Sequence, residues 1–373
     1  MDEINKRNFE IMFVVADLKR VGPSNQTLNI VKNPLIKDKS IVITLFEEPE
    51  DSMIEEYEKN NIKIQCLNLN RVTFTLNGAR KLRELIRIFD VKLVHSYGVK
   101  PDYVCQKAIK GTKAKHIITL RNFPKEDIFG RMSKIKSYMA YYSHINVLKK
   151  AKYIVACSKT IETKMKETYK NINITSIQNG VDIEKYKQVS KEEKNKIREK
   201  LGLEINRTIF ISTSSFIPRK RIEESIEAFK LANVEKKQML LLGAGTELEK
   251  IKEKYKSEKD IIFIGKVGNV PEYLNAADFF VSTSESEGLP NGVIEALASG
   301  IPVILSDIPQ HKEILEEASD AGYTYKLGNI EDCSAKMEQV IKGKFNIDMK
   351  KTSFTMSNMS QKYVNLYKKL LDN

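Results

Sequence analysis

Short apolar segments alternate with helical patterns through nearly the whole chain, and this alternation constrains the fold more than any other feature. In the first half, strands are predicted at residues 11–16, 40–46, 62–67, 92–95, 116–120, 153–157 and 174–178. In the second half they are predicted at residues 208–214, 238–242, 261–265, 279–283 and 302–306. Helical patterns separate most of these strands, for example at residues 78–89, 159–169 and 221–233. Buried strands that alternate with helices predict an α/β fold with parallel, doubly wound sheets.

The length of the chain indicates two domains. A chain of 373 residues is longer than a single hydrophobic core usually supports. The pair Asn179-Gly180 is a strong turn signal, so we place a first domain at residues 1–180 and a second from residue 181 onward. A ligand of such a protein is expected beyond the carboxyl ends of the strands.

Residues 287–300, which read EGLPNGVIEALASG, combine a loop, a helix start and a helix stop between two predicted strands. Pro290 suits the first turn of a helix, and Gly300 is a favourable stop. Unpaired N–H groups and the positive end of the helix dipole would make this loop an anion site. A phosphate there would leave Glu287 near one end of the ligand and Glu295, about two turns inside the helix, near the other. The alternative is a buried helix with incidental acidic residues.

This segment resembles the donor-site signature of the retaining nucleotide-sugar glycosyltransferases with the GT-B fold, of the glycosyltransferase family 4 or "glycosyl transferases group 1" type. Other stretches are similar to motifs of the same family, namely Asn179-Gly180-Val181-Asp182, Pro218-Arg219-Lys220-Arg221 and Leu242-Gly243-Ala244-Gly245. The similarity is good over residues 179–313 and diffuse before them. It implies two Rossmann-like domains facing across a cleft, with a donor-binding domain at residues 181–358. It also implies that a last helix, within residues 359–373, packs back on the first domain.

The resemblance implies roles for several residues. Glu295 would bind the ribose hydroxyls of the nucleotide, and Glu287 would hold hydroxyls of the donor sugar. Lys220 and the N–H groups near Gly288 and Leu289 would take up charge on the departing diphosphate. Further donor contacts are expected from Gly22, Arg219, Gly243, Lys266 and Val267, of which Lys266-Val267 would face the nucleobase. The family's arginine before the lysine is absent, because Ser215 stands there, and Arg219 or Arg221 would replace it.

Three residues in the first half are candidates for acceptor or donor contacts. His95 ends a predicted strand, and Arg121 and Asn122 follow the next one, where many relatives carry a histidine. A purely structural role for His95 is the alternative. The chain contains no Asp-x-Asp sequence, so we expect transfer without a metal or other cofactor.

The net charge of +13 lies entirely in the first half of the chain. Residues 1–180 contain 32 Lys and Arg against 19 Asp and Glu, whereas residues 181–373 contain 30 of each kind. No nucleic-acid motif is present, so we favour an anionic membrane or a phosphate-bearing acceptor as the partner. A solvated lysine-rich surface is the alternative. The apolar residues at helical spacing in 129–150 are interpreted as a core-facing helix rather than a membrane-lying one.

The sequence predicts an intracellular enzyme. No signal peptide or spanning helix is expected, and the four cysteines have no zinc or disulfide spacing, which is typical of a reducing compartment. We therefore expect a cytoplasmic protein at the inner face of the plasma membrane. It would move a hexosyl or N-acetylhexosaminyl group from a UDP-sugar to a glycan or lipid-linked acceptor of a bacterial capsule or O-antigen. A non-catalytic partner subunit and a nucleotide-sugar epimerase of the same fold are the alternatives.

Overall fold

The computed structural model describes residues 8–71, 73–129 and 133–372. They form two compact units, one comprising Met1–Gly180 with Met356–Asn373 and the other Val181–Thr355. The division after Gly180 coincides with the Asn-Gly turn. The second division falls after Thr355, three residues before the boundary expected at residue 358.

The first unit is a parallel sheet with helices on both faces. Its strands are β1 (Ile11–Val15), β2 (Ser40–Thr44), β3 (Lys63–Cys66), β4 (Leu93–Tyr97), β5 (Lys115–Leu120), β6 (Tyr153–Ala156) and β7 (Ile174–Ser176). Its helices are α1 (Gly22–Val31), α2 (Ile54–Lys59), α3 (Phe74–Ile88), α4 (Val99–Ala108), α5 (Pro124–Ile128), α6 (Lys134–Lys150) and α7 (Lys159–Thr168). The strand order is β3-β2-β1-β4-β5-β6-β7, and every pair is parallel. Helices on both faces explain why β1, β2 and β4 are buried along their whole length.

The second unit repeats this plan with six strands. They are β8 (Thr208–Thr213), β9 (Lys237–Leu242), β10 (Ile261–Gly265), β11 (Phe279–Ser282), β12 (Val303–Ser306) and β13 (Gly322–Tyr325), in the order β10-β9-β8-β11-β12-β13. Its helices are α8 (Lys191–Lys200), α9 (Ile222–Leu231), α10 (Leu248–Lys254), α11 (Val270–Ala276), α12 (Asn291–Ala298), α13 (Pro309–Glu317) and α14 (Ile330–Lys342). The predicted α/β fold with two doubly wound parallel sheets is confirmed.

The last helix, α15 (Met356–Leu371), belongs to the first unit. Its residues Met359, Tyr363 and Tyr367 are buried in the same core as Phe13 on β1. At its carboxyl end, Lys115 donates a hydrogen bond from Nζ to the Leu370 carbonyl at 2.7 Å. The helix therefore closes one face of the first sheet after the chain has left and completed the second unit.

Strand β13 was missed by the sequence analysis. It is short, begins with Gly322 and contains Thr324, so it lacks the apolar run that marked the other strands. The glycine is needed for packing, because a Cβ atom there would lie 2.0 Å from the Val303 carbonyl oxygen.

The interpretation of residues 129–150 as a core-facing helix is wrong for most of the apolar stripe. In α6, Ile135, Met139 and Tyr142 are exposed, whereas Ile145 is buried. Arg131 and Met132, which belong to the same segment, lie outside the described residues. Helix α6 carries apolar residues on two faces, so periodicity could not show which face packs against the core. None of the helices in the described ranges has the length and apolar character of a membrane span.

Candidate active site

The loop from β11 to α12 forms the centre of the candidate site. Pro290 is the N-cap residue of α12, and Gly300, with φ of +74°, follows the C-cap residue Ser299. Glycine adopts this left-handed conformation without the cost that a side chain brings. Because the helix begins at Asn291, Glu295 lies little more than one turn inside it, rather than the two turns expected.

Glu287 is buried in this loop and contacts two cations. Lys220 donates a hydrogen bond to its Oε1, and Arg219 Nη1 lies 3.4 Å from its Oε2. Ser284 donates from Oγ to Oε1 at 2.7 Å. Burial opposes ionisation of this carboxyl, but the charges of Lys220 and Arg219 outweigh that effect and hold the pKa of Glu287 at about 2.

Lys220 is held at the end of a short 3-10 turn, Pro218–Lys220, that follows β8. Its carbonyl and that of Arg221 both accept hydrogen bonds from Thr283 Oγ1, at 3.0 and 2.9 Å. Burial lowers the pKa of Lys220, and the Glu287 carboxylate acts in the opposite direction. The Glu287 carboxyl is ionised at neutral pH, because it titrates far below neutrality.

The structure distinguishes the two arginines that the sequence offered in place of Ser215. Arg219 donates from Nη1 to the Ser286 carbonyl at 2.6 Å and faces Glu287. Arg221 instead pairs with Glu224 at 2.5 Å. Arg219 is therefore the guanidinium at the site, and Arg221 stabilises the start of α9.

Two residues that sequence reasoning missed support the Glu287 loop. Gln310 donates from Nε2 to the Glu287 carbonyl at 2.9 Å. His311 Nδ1 lies 2.8 Å from the Ser306 carbonyl, and burial lowers its pKa to about 4. Both residues begin α13 directly after strand β12, a position at the carboxyl edge of the sheet that could have drawn attention to them.

Glu295 has a different environment from Glu287. Burial raises its pKa to about 7, against the opposing effects of Lys185 and of a hydrogen bond from Tyr186. Tyr186 is buried and lies shortly after the junction at Gly180. The two glutamates thus differ in charge near neutral pH, because only Glu287 has cations in direct contact.

The remaining donor candidates of the second unit lie on connections between strands and helices. Gly243 follows β9 with φ of +137°, and a Cβ atom there would lie 1.9 Å from the Ser214 carbonyl oxygen. Lys266 and Val267 follow the end of β10, while Gly288 and Leu289 are buried between Glu287 and α12. Their contacts to a donor stay predictions.

In the first unit, Arg121 is the candidate with unmet hydrogen-bonding capacity. Its Nη1 donates to Asn179 Oδ1 at 2.7 Å, and the guanidinium lies over the Tyr97 ring at 4.9 Å. Its Nε and Nη2 atoms are buried, and neither has a hydrogen-bond partner among the described residues. Gly22 is the first residue of α1, after β1, and so lies at the same edge of the sheet as Arg121.

His95 is a core residue, which corrects the expectation that it reaches a ligand. It is fully buried, with Nδ1 2.6 Å from the Tyr367 hydroxyl and Nε2 2.8 Å from Thr119 Oγ1. Burial lowers its pKa well below the usual value. Asn122 is also buried and uses Oδ1 to accept from the Phe123 N–H at 2.9 Å. Both residues have structural partners inside the first unit.

No metal-binding group of three His, Cys, Asp or Glu side chains is present in the part of the chain that the structure describes.

Two Rossmann-like units, one of which carries a partly buried lysine–arginine–glutamate cluster at a loop before a helix, are the architecture of the GT-B fold. Residues 193–356 match the family described as Glycosyl transferases group 1, and residues 40–185 match Glycosyltransferase Family 4. The chain belongs to this family of glycosyltransferases and is an enzyme of that class.

Relatives and solved structures agree with this assignment. The chain is 26% identical over 374 residues to the O-antigen biosynthesis glycosyltransferase WclY of Escherichia coli, covering 97% of this chain and 98% of that protein. It is 24% identical over 277 residues to the N-acetyl-alpha-D-glucosaminyl L-malate synthase of Bacillus anthracis, covering 72% of this chain and 70% of that protein. The crystal structure of Anabaena Alr3699/HepE in complex with UDP has a TM-score of 0.79 at 18% identity, covering 97% and 100% of the two chains.

Proposed function

We propose that this enzyme moves a sugar from a UDP-sugar to a glycan or lipid-linked acceptor in bacterial envelope polysaccharide biosynthesis, with retention of configuration. The observation that carries the proposal is the charge of this partly buried cluster. Lys220 and Arg219 share one carboxylate, Glu287, which leaves one positive charge without a partner in the cluster. A diphosphate is an anion that suits such a site, because charge that is partly removed from water is stabilised by a charged partner.

Each site residue has a defined task in this proposal. Lys220 and Arg219 stabilise negative charge on the departing diphosphate, and positioned cations in a water-poor site are the largest source of such stabilisation. Glu287 exchanges part of its contact with Lys220 for hydroxyls of the donor sugar. Glu295 accepts hydrogen bonds from the ribose hydroxyls. The acceptor hydroxyl attacks from the face that the diphosphate leaves, and no protein nucleophile takes part.

The donor and the pathway are supported by relatives rather than by this chain alone. WclY is described as an O-antigen biosynthesis enzyme, and another relative is described as a UDP-Gal:alpha-D-GlcNAc-diphosphoundecaprenol alpha-1,3-galactosyltransferase. The second of these aligns over 46% of this chain at 29% identity. A lipid-linked acceptor would bring the enzyme to the inner face of the plasma membrane.

A non-catalytic subunit is the second candidate, and Ser215 is the residue that favours it. The family's arginine is missing there, but Arg219 supplies a guanidinium within 3.4 Å of Glu287. This substitution favours an active enzyme over a partner that has lost turnover.

A panel of nucleotide-sugars, read as a shift in melting temperature, tests the donor. We expect UDP-glucose or UDP-N-acetylglucosamine to stabilise the protein, because a ligand bound only by the native state raises its stability. Stabilisation by GDP- or ADP-sugars alone would refute the UDP assignment. Product formation that survives EDTA would support transfer without a metal, and loss of turnover that Mg²⁺ restores would refute it.

A further inference from the structure

Helix α6 exposes large apolar side chains on the face opposite its core contacts. Ile135, Tyr138, Met139 and Tyr142 are 76%, 52%, 70% and 65% exposed, respectively. These four residues, the α6 stripe, recur at intervals of three and four and therefore share one side of the helix. Ser137, His144 and Leu148, on the opposite side, are buried. A helix on the surface of a soluble domain normally turns polar residues outward, so this patch indicates an interaction surface.

The helix that carries the α6 stripe is basic. The helix itself carries Lys134, Lys136, Lys149 and Lys150 and no acidic residue. Over the longer segment 128–161 the sequence contains seven Lys and Arg and no Asp or Glu. The partner of this surface must therefore be anionic as well as apolar.

A basic groove continues the stripe toward the carboxyl end of α6. Tyr142, Asn146 and Lys150 follow one another at intervals of four, so the stripe runs directly into this groove. The groove, of about 170 Å³, lies between α4 and α6. Its lining includes Lys107 and Lys110 as well as Lys150. Three lysines that line one small groove suit the phosphodiester of a lipid headgroup.

We propose that the α6 stripe docks the protein on an anionic lipid membrane. Its apolar side chains enter the boundary between headgroups and acyl chains, and the flanking lysines contact the headgroup phosphates. The inference deepens the proposed function, since it names the surface that would bring the enzyme to a lipid-linked acceptor. Its tests measure vesicle binding without any sugar, so its failure is distinguishable from failure of the transferase assignment.

Self-association through the same surface is disfavoured by charge. A twofold interface places one patch against an identical patch, so two copies of this basic helix would face each other. Like charges opposed across an interface destabilise it. An anionic membrane offers both the apolar layer and the compensating charge that a second copy lacks.

A single-tryptophan reporter tests contact directly, because the chain contains no Trp. We would introduce Tyr142→Trp in the full chain and, as a matched control, Leu76→Trp on α3, where Leu76 is 75% exposed. With vesicles of phosphatidylcholine and phosphatidylglycerol that carry brominated acyl chains, emission from the Tyr142→Trp protein should be quenched. Emission from the Leu76→Trp control should not be quenched. Equal quenching of the two reporters, or none in either, would overturn the proposal.

Vesicle sedimentation tests the energetics. The variant Met139→Ser/Tyr142→Ser should bind anionic vesicles about tenfold or more weakly than the wild type, since two large apolar groups no longer leave water. Leu76→Ser/Ile88→Ser removes two exposed apolar residues elsewhere in the first unit and should bind like the wild type. Both variants change exposed side chains, so melting curves should remain near that of the wild type.

Two further measurements test the proposal, namely vesicle binding at different lipid compositions and the oligomeric state in solution. Binding should grow with phosphatidylglycerol content and weaken at high salt, since exposed charges are screened within about 8 Å at physiological ionic strength. Binding to neutral phosphatidylcholine vesicles of equal strength would overturn the role of the lysines. Dimerisation abolished by Met139→Ser/Tyr142→Ser, without any vesicle binding by the wild type, would assign the stripe to self-association instead.

Discussion

The affinity for a UDP-sugar should depend on pH through Glu295. The pKa of this carboxyl is raised to about 7, mainly by burial. Glu287 and His311, which titrate near pH 2 and pH 4, stay in one protonation state between pH 6 and pH 8. If the Glu295 carboxylate accepts hydrogen bonds from the ribose, donor binding requires its ionised form and releases a proton.

The size of this effect follows from the pKa. With a pKa of about 7, roughly one tenth of the Glu295 carboxyls are ionised at pH 6 and roughly nine tenths at pH 8. The dissociation constant should therefore rise about tenfold from pH 8 to pH 6, which corresponds to about 1.4 kcal/mol. The dissociation constant rises as the pH falls because the ligand binds the ionised form of Glu295.

Stability without ligand should change in the opposite direction. A carboxyl whose pKa is raised on folding contributes stability that is fully present below the unfolded value, 4.5, and is lost as pH rises through about 7. The loss amounts to about 3 kcal/mol at most. Relative to Glu295→Gln, the wild type should therefore become less stable between pH 4.5 and pH 7 and change little above that range.

Calorimetric titration with UDP-glucose at pH 6, 7 and 8 measures the predicted change of donor affinity with pH. A UDP-sugar is preferable to free UDP, whose terminal phosphate titrates near pH 6 as phosphomonoesters do. Glu295→Gln should bind weakly at every pH, whereas Glu316→Gln, which changes an exposed residue of the same unit, should behave like the wild type. The reasoning is refuted if wild-type affinity does not change with pH, or if Glu295→Gln retains the same pH profile.

Three further outcomes follow from the site geometry. Lys220→Met should lower turnover by about 10²–10³-fold, the usual effect of losing one transition-state contact, whereas Lys250→Met, at a position whose side chain is 74% exposed, should not change it in a kinetic assay. Arg219→Gln should weaken UDP-sugar binding in calorimetry far more than Arg221→Gln does, and the reverse ranking would assign the missing arginine's role to Arg221. Gly243→Ala should destabilise the protein to urea by about 2 kcal/mol or more, because its Cβ would meet the Ser214 carbonyl oxygen at 1.9 Å, while Gly268→Ala, with open space around it, should cost little.

The sheets could be predicted from the sequence because each buried strand has a local signature. Twelve predicted strands lie within a few residues of the observed ones, for example residues 261–265 against Ile261–Gly265. Runs of β-branched residues between helical patterns are sufficient for this purpose. Strand β13 lacks such a run. It is held by its pairing with β12, and a pairing with a separate strand cannot be predicted from a local sequence pattern.

The sequence could place the candidate site residues on their elements, but it could not predict which of them contact one another. The positions of Glu287, Lys220 and Glu295 follow from their placement after strands and inside a helix. The hydrogen bond between Tyr186 and Glu295 and the support from His311 depend on segments distant in the chain. The sequence left both a ligand contact and a structural role open for His95, because it placed this residue at a strand end. In the structure His95 lies in the middle of β4, and its side chain is buried under α15.

The sequence left two interpretations of the positive charge in the first half: a surface for an anionic partner, or a solvated lysine-rich surface. The distribution of the acidic residues distinguishes them. A general excess of lysine would enrich both halves in basic residues, and both halves do contain similar numbers, 32 and 30. The difference lies in the acidic residues, 19 in residues 1–180 against 30 in residues 181–373. In the second unit these acids are used as partners, for example by Lys254 with Glu223 and by Lys200 with Glu272. Among the described residues, no ion pair involves the four lysines of α6, Lys134, Lys136, Lys149 and Lys150. Their positive charge is therefore available to an external anion. Depletion of acids around one exposed apolar helix therefore favours a membrane-facing surface over a uniformly solvated one.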